Sequence, residues 1–255
     1  IEKLGYRNGF TILDEGEQKT VIKECLRELQ QHDTRPELIS YLIKQAKNSL
    51  TEPERFFAGI RAAPHHRELY TRVYRLYGNR LRELNALDFE DLIGLTVRLF
   101  QKYPAVLQSY QERFPYVMVD EYQDTNYAQF IWTKLLAGEN GNVFVVGDPD
   151  QSIYSWRGAE PYNIERFIDT YPQARVIKLE KNYRSTRYIL EAANAVIHNN
   201  TGRMKKELFT DNPEGEKLLQ FGAASHQQEA EFIAQYIKQL VKEGKYRYQD
   251  FAIFY

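Results

Sequence analysis

Three polar clusters carry the groups in this chain that could do chemistry, and each follows an apolar run. Tyr116-Val117-Met118-Val119 ends in Asp120 and Glu121 and continues as Tyr122-Gln123-Asp124-Thr125-Asn126. Val143-Phe144-Val145-Val146 ends in Gly147-Asp148-Pro149-Asp150-Gln151 and runs on through Ser152-Ile153-Tyr154-Ser155-Trp156-Arg157-Gly158-Ala159. Val176-Ile177-Lys178-Leu179 ends in Glu180-Lys181-Asn182-Tyr183-Arg184-Ser185-Thr186. An acid pair at a strand end suits a Mg²⁺ ion beside a nucleotide. Asp120 is the candidate ligand, directly or through water, and Glu121 the candidate base for an attacking water. Gln151 is placed to meet a γ-phosphate or that water, and Arg184 to stabilise charge on a transferring phosphoryl group. Trp156 lies in a polar loop, where an exposed ring can stack on a nucleic-acid base. Arg157 beside it suits a phosphate or braces the loop, and Tyr154 stacks or packs. The plain alternatives are a solvated strand end, a turn residue at Gln151, a core tryptophan and an exposed ion pair of small worth at Arg184.

Elements must place these clusters. The apolar runs are short, rich in Val and Ile, and bounded by polar residues, as in strands of a parallel sheet buried on both faces. Helical spacing between them, over Tyr127 to Ala137 and Asn163 to Tyr171, predicts βαβ units. Ligands gather at the carboxyl ends of such strands, so all three clusters should line one crevice. Upstream the chain reads as helix. Asp14 with Glu17 resembles a capping box ahead of Val21, Ile22, Cys25, Leu26 and Leu29. Pro36 opens a second helix, and a longer one runs from about Pro64 to Asn85. Asp88 caps a helix from Phe89 to about Lys102. Arg61, Arg67, Arg72, Arg75, Arg80 and Arg82 form either a basic stripe for phosphates or an ordinary solvated face, since Glu68 and Glu83 interleave. Downstream, Ser185-Thr186 is expected to cap a helix from Arg187 to Asn199. Leu218 to Phe221 and Phe251 to Tyr255 read as strands flanking a helix from Gln227 to Glu243.

The clusters after Val119, Val146 and Leu179 resemble motifs II, III and IV of the superfamily 1 DNA helicases of the UvrD/Rep/PcrA group. Leu87-Asp88-Phe89-Glu90-Asp91-Leu92-Ile93 resembles that family's short acidic-aromatic segment. The resemblance implies an α/β, RecA-like parallel-sheet fold of the P-loop NTPase class, present in part, with an all-helical insertion domain. It implies residues 1–112 as a mainly helical 1B-like domain and 113–179 as the later part of domain 1A. Motif IV and the start of domain 2A would then occupy 180–255. ATP and Mg²⁺ are the implied cofactors, with Asp120 and Glu121 at the metal, Gln151 and Arg184 at the γ-phosphate and Tyr183 near the adenine. Trp156, Arg157 and Tyr154 are the implied DNA contacts. The implied activity is ATP-driven 3′ to 5′ movement on single-stranded DNA and at duplex junctions, in repair or replication.

Composition bounds this reading. The chain has 255 residues, 34 Lys and Arg against 35 Asp and Glu, and a formal net charge of −1. That excludes a global basic signature but not a local groove. The single cysteine, Cys25, forbids an internal disulfide and a Cys-based metal site, and fits a reducing cytoplasm beside the nucleoid. No apolar run is long enough for a membrane span. A phosphate-cradling G-x-x-x-x-G-K-[ST] is not found: Gly244-Lys245 is followed by Tyr246. The expectation is an internal fragment that lacks motif I and motifs V and VI, and that does not hydrolyse ATP alone. The absence of an initiating Met agrees with an excised or processed chain. Two rival readings stand: a non-catalytic DNA- or partner-binding fragment, and a Mg²⁺-dependent nuclease using Asp120, Glu121 and Asp148.

Overall fold

The computed structural model describes residues 1–138, 141–160, 162–200 and 206–255, with the Arg157 side chain left out. The chain divides into two compact units, Ile1–Val176 and Ile177–Tyr255.

The first unit begins as the apolar spacing predicts. Helix α1 (Glu15–Glu28) opens on a capping box in which Asp14 Oδ1 accepts the Glu17 N–H and Glu17 Oε2 accepts the Asp14 N–H, both at 2.8 Å. Helix α2 (Pro36–Asn48) starts on a proline, whose missing N–H costs nothing in the first turn. Helices α3 (Pro53–Gly59) and α4 (Pro64–Glu83) start the same way. Val21, Ile22, Cys25 and Leu26 of α1 pack with Ile39 and Ile43 of α2, Phe57 of α3 and Val73, Tyr77 and Leu81 of α4. A two-residue parallel pair, β1 (Thr11–Ile12) with β2 (Ala86–Leu87), ties the entry of α1 to the exit of α4.

Asp88 then caps α5 (Phe89–Lys102), its Oδ1 accepting the Asp91 N–H at 2.9 Å. The Lys47 ammonium of α2 is held between the Asp88 and Asp91 carboxylates at 2.5 and 2.8 Å, and the Tyr77 hydroxyl donates to Asp88 at 3.1 Å. Burial alone would push this ammonium down; the two carboxylates outweigh it and hold it above the usual lysine range. Helix α6 (Pro104–Arg113) leads into the sheet.

Strands β3 (Val117–Val119) and β4 (Val143–Val145) pair in parallel, Met118 opposite Phe144, with α7 (Tyr127–Ala137) between them in sequence. Val119, Val143 and Val145 face a core of Tyr122, Phe130, Phe167 and Tyr171, the last two from α8 (Asn163–Thr170) and its end. The other face is bare: Met118 is 79% and Phe144 57% exposed. Burial on both faces was expected and does not occur. Side chains alternate along a strand, and α7 and α8 cover one face only.

In the second unit, helices α9 (Arg187–Ile197) and α10 (His226–Lys242) follow the expected spacing. The expected strands do not form. Ile177–Leu179, Leu218–Phe221 and Phe251–Tyr255 join no ladder, and the one pairing among the described residues of this unit is an isolated Lys181–Phe209 bridge. Strand identity requires a partner, which apolar composition cannot supply; Phe221 instead stacks on Phe232 of α10 at 3.9 Å. Thr186 occupies the N-cap of α9 without a side-chain cap bond. The Pro213 and Glu214 carbonyls accept the Arg187 and Tyr188 N–H groups instead, at 3.1 and 3.2 Å. These corrections leave a mixed helical chain with two small parallel sheets. No helix among the described residues is long and apolar enough to cross a membrane.

Candidate functional site

The acid pair leaves β3 at its carboxyl end, as the βαβ reading requires. Asp120 and Glu121 are both exposed, and Asp120 Oδ1 accepts the Glu121 N–H at 2.9 Å. Glu121 adopts the left-handed conformation, φ 49° and ψ 44°. A non-glycine residue there costs about 1–3 kcal/mol, strain that clusters at functional sites. The kink turns the chain at once into a short 3₁₀ turn, Tyr122–Asp124.

Gln123 holds the two strand ends together. It is 1% exposed. Its Nε2 donates to Glu121 Oε2 at 2.8 Å, and its Oε1 accepts the Asp148 N–H beyond β4 at 2.9 Å. The Ser152 hydroxyl donates to the Gln123 carbonyl at 3.3 Å. Gly147 leaves room for this arrangement: a Cβ there would stand 2.7 Å from Gln123 Oε1 and 3.2 Å from the Tyr122 and Gln123 nitrogens.

The second cluster is ordered around Asp148. Its Oδ1 accepts the Asp150 N–H at 3.0 Å and its Oδ2 accepts the Gln151 side-chain amide at 2.7 Å. Gln151 is exposed at the end of the 3₁₀ turn Pro149–Gln151. Asp120, Glu121 and the Asp148–Gln151 turn thus share one end of the sheet. Further along, Trp156 is 61% exposed, with the Tyr154 ring 6.2 Å away and tilted 59°. The Arg157 side chain lies outside the described residues. Gly158, at φ 86°, ends that turn against α2, where an added Cβ would meet Asn48 Nδ2 at 3.5 Å. Asn48 Oδ1 in turn accepts from the Asn126 side chain, the N-cap of α7, at 3.1 Å.

Tyr183 and Arg184 belong to the second unit. Asn182 Oδ1 accepts the Arg184 and Ser185 N–H groups at 2.9 and 2.7 Å, forming a side-chain-closed turn. Tyr183 is 78% exposed, with the Lys181 ammonium 5.4 Å from its ring centre.

Two adjacent hard carboxylates suit Mg²⁺, which keeps several waters and commonly takes one or two carboxylates beside substrate phosphates. Among the described residues no group of three or more His, Cys, Asp and Glu side chains is placed to hold a metal. The arginine stripe of α4 is partly consumed in surface ion pairs: Arg75 with Glu54, and Arg80 with Glu28 and Glu83.

Sequence reasoning missed Gln123. It is uncharged and sits between acids that draw the eye. The available signal was Gly147, a residue without a side chain at the very end of an apolar run, where a close approach needs space.

Comparison with known proteins places the chain in a family. Residues 1–172 match the UvrD/REP helicase N-terminal domain and residues 177–255 the UvrD-like helicase C-terminal domain. The chain belongs to the UvrD/REP helicase family. It is 44% identical over 256 residues to the ATP-dependent DNA helicase PcrA of Staphylococcus aureus. It is 46% identical over 257 residues to that of Bacillus subtilis, and 43% over 258 residues to that of Leuconostoc citreum. Each comparison covers 100% of this chain but only 34–35% of the relative, so the chain spans about a third of their length.

Proposed function

We propose that this chain is part of an ATP-dependent DNA helicase that moves 3′ to 5′ on single-stranded DNA, working in the cytoplasm at the nucleoid. Residues 1–112 would form the helical 1B-like domain, 113–179 the later part of a RecA-like domain, and 180–255 the start of the second. The observation that carries the reading is the strained Glu121 beside Asp120, tied through Gln123 to the turn that bears Gln151.

In this reading Glu121 accepts a proton from the water that attacks the γ-phosphorus, and Gln151 orients that water or the γ-phosphate. Asp120, with Glu121 beside it, would hold Mg²⁺, which would supply positive charge against the triphosphate. Arg184 meets the charge that spreads over the transferring group, and Tyr183 packs near the adenine. Trp156 stacks on a base, with Arg157 and Tyr154 beside it, so one loop responds to nucleotide at Gln151 and to DNA at Trp156. Duplex junctions are the natural substrate of such a motor. The 255-residue chain contains no G-x-x-x-x-G-K-[ST] segment. Without its backbone N–H groups and lysine the triphosphate has few strong partners, so the chain alone is expected not to hydrolyse ATP.

Binding of fluorescent oligo-dT to this chain at low and moderate salt tests the DNA half of the reading. Stacking on one aromatic is worth about 1–3 kcal/mol, so Trp156→Ala should weaken binding by roughly fivefold to a hundredfold. Salt-sensitive binding that weakens in the variant is expected; equal binding by both proteins would remove Trp156 from the DNA path.

A further inference from the structure

We infer that Gln123 is the positioning residue of the hydrolytic site, holding the Glu121 carboxylate in its working orientation from a seat on the neighbouring strand's loop. This rests on the reading of Glu121 as the base.

The geometry is specific. A primary amide has a donor end and an acceptor end, and Gln123 uses them in opposite directions. Its Nε2 donates to Glu121 Oε2 at 2.8 Å, and its Oε1 accepts the Asp148 N–H at 2.9 Å. Asp148 itself accepts from the Gln151 side chain at 2.7 Å, and Ser152 donates to the Gln123 carbonyl at 3.3 Å. The base on the β3 end is thereby referenced to the turn on the β4 end, and not to its own exposed surroundings. An exposed glutamate samples many rotamers, and a general base must sit within hydrogen-bond reach of its water. Gln123 removes that freedom because it is itself locked: it is 1% exposed and bound at three points. Its NH₂ group also lies 3.5 Å from Asp124 Oδ2, so the donor end faces two carboxylates and has no reason to flip. Gly147 keeps the seat open. The arrangement gives a direct route by which a shift of the loop bearing Gln151 and Trp156 reaches the base.

Two substitutions separate the roles, placed in the longer helicase proposed to carry this chain. Gln123→Glu keeps an oxygen for the Asp148 N–H but replaces the donor with a like charge. Gln123→Met removes both ends at similar volume. Both should lower kcat for DNA-stimulated ATP hydrolysis by roughly tenfold or more while KM for ATP stays within about threefold, because the lost interaction acts on the chemical step. In a Glu121→Gln background, Gln123→Glu should change the residual rate by less than about twofold, since residues that act as one unit are not additive. Far-UV circular dichroism and melting accompany each variant. Wild-type kcat in either folded variant, a raised KM with unchanged kcat, or a full multiplicative loss in the double variant would overturn the inference. Failure of both single variants to fold would overturn it too, by making Gln123 a strut of the fold. The underlying reading fails separately: Glu121→Gln alone would then retain full hydrolysis.

Discussion

Replacing Gly147 by alanine probes the tightest packing at the site. The added Cβ would stand 2.7 Å from Gln123 Oε1, and 3.2 Å from two backbone nitrogens. No real Cβ sits that close to an oxygen, so something must shift. The backbone of Tyr122 and Gln123 is fixed by Tyr122 N–H donation to the Val146 carbonyl at 2.9 Å, and Tyr122 is 1% exposed. The Gln123 amide is therefore the group that yields, and with it go the bonds to Glu121 and Asp148. Overpacking of this kind costs about 1–3 kcal/mol. At this size each kcal/mol lowers the melting midpoint by roughly 2–4 °C, so a drop of about 2–12 °C is expected for the first unit. Gly78, inside α4, serves as the control, because nothing lies within 4 Å of a Cβ built there. Gly78→Ala should stabilise by about 0.5–1 kcal/mol through the helix term alone. Thermal and urea unfolding of this chain measure both. A Gly147→Ala protein as stable as wild type would refute the close packing of Gln123 on which the site's geometry depends.

Other consequences follow from the helical half. Lys47→Met leaves two nearly buried carboxylates facing each other without their cation, and should cost about 3–5 kcal/mol in urea unfolding. Lys44→Met breaks only the more exposed pair with Glu15 and should cost about 1 kcal/mol or less; equal losses in the two variants would show that burial does not matter here. The Lys47 ammonium is raised in the folded state, so its contribution is complete below the unfolded lysine pKa of about 10.4 and is lost as pH rises past it. Burial pushes the Cys25 thiol up to about 11, so alkylation at pH 8 should be slow and should speed up only on unfolding. Because its folded pKa is the raised one, the thiol's contribution to stability is full below pH 9 and declines as pH climbs through 11. Rapid labelling of the native chain at pH 8 would contradict the packing of α1.

Local signals were the ones legible in the sequence. The capping box at Asp14 and the cap at Asp88 lie next to the helices they start, and both form, Asp88 as a full box with Asp91. The β3 and β4 runs and their polar ends were readable because length and flanking residues mark them. Helices α3 and α6 were not expected; each opens on a proline, Pro53 and Pro104, that serves as a first-turn residue. The strands expected at Leu218 and Phe251 depended on partners elsewhere in space, which no local pattern reports. Arg75 and Arg80 stayed open between a phosphate stripe and a solvated face, because the acids that claim them include Glu54 on α3 and Glu28 on α1. Of the site, charged residues stood out and the neutral Gln123 did not, although it joins Glu121 to Asp148.

Glu121 is proposed to serve as the base in DNA-stimulated ATP hydrolysis. Steady-state ATP hydrolysis by the longer helicase proposed to carry this chain, with and without single-stranded DNA, and with Glu121→Gln alongside, tests it most directly. General-base catalysis contributes about 10²–10⁴-fold, so a DNA-stimulated rate that falls by that factor in the variant is the predicted result. A variant that hydrolyses ATP at the wild-type rate would contradict the account.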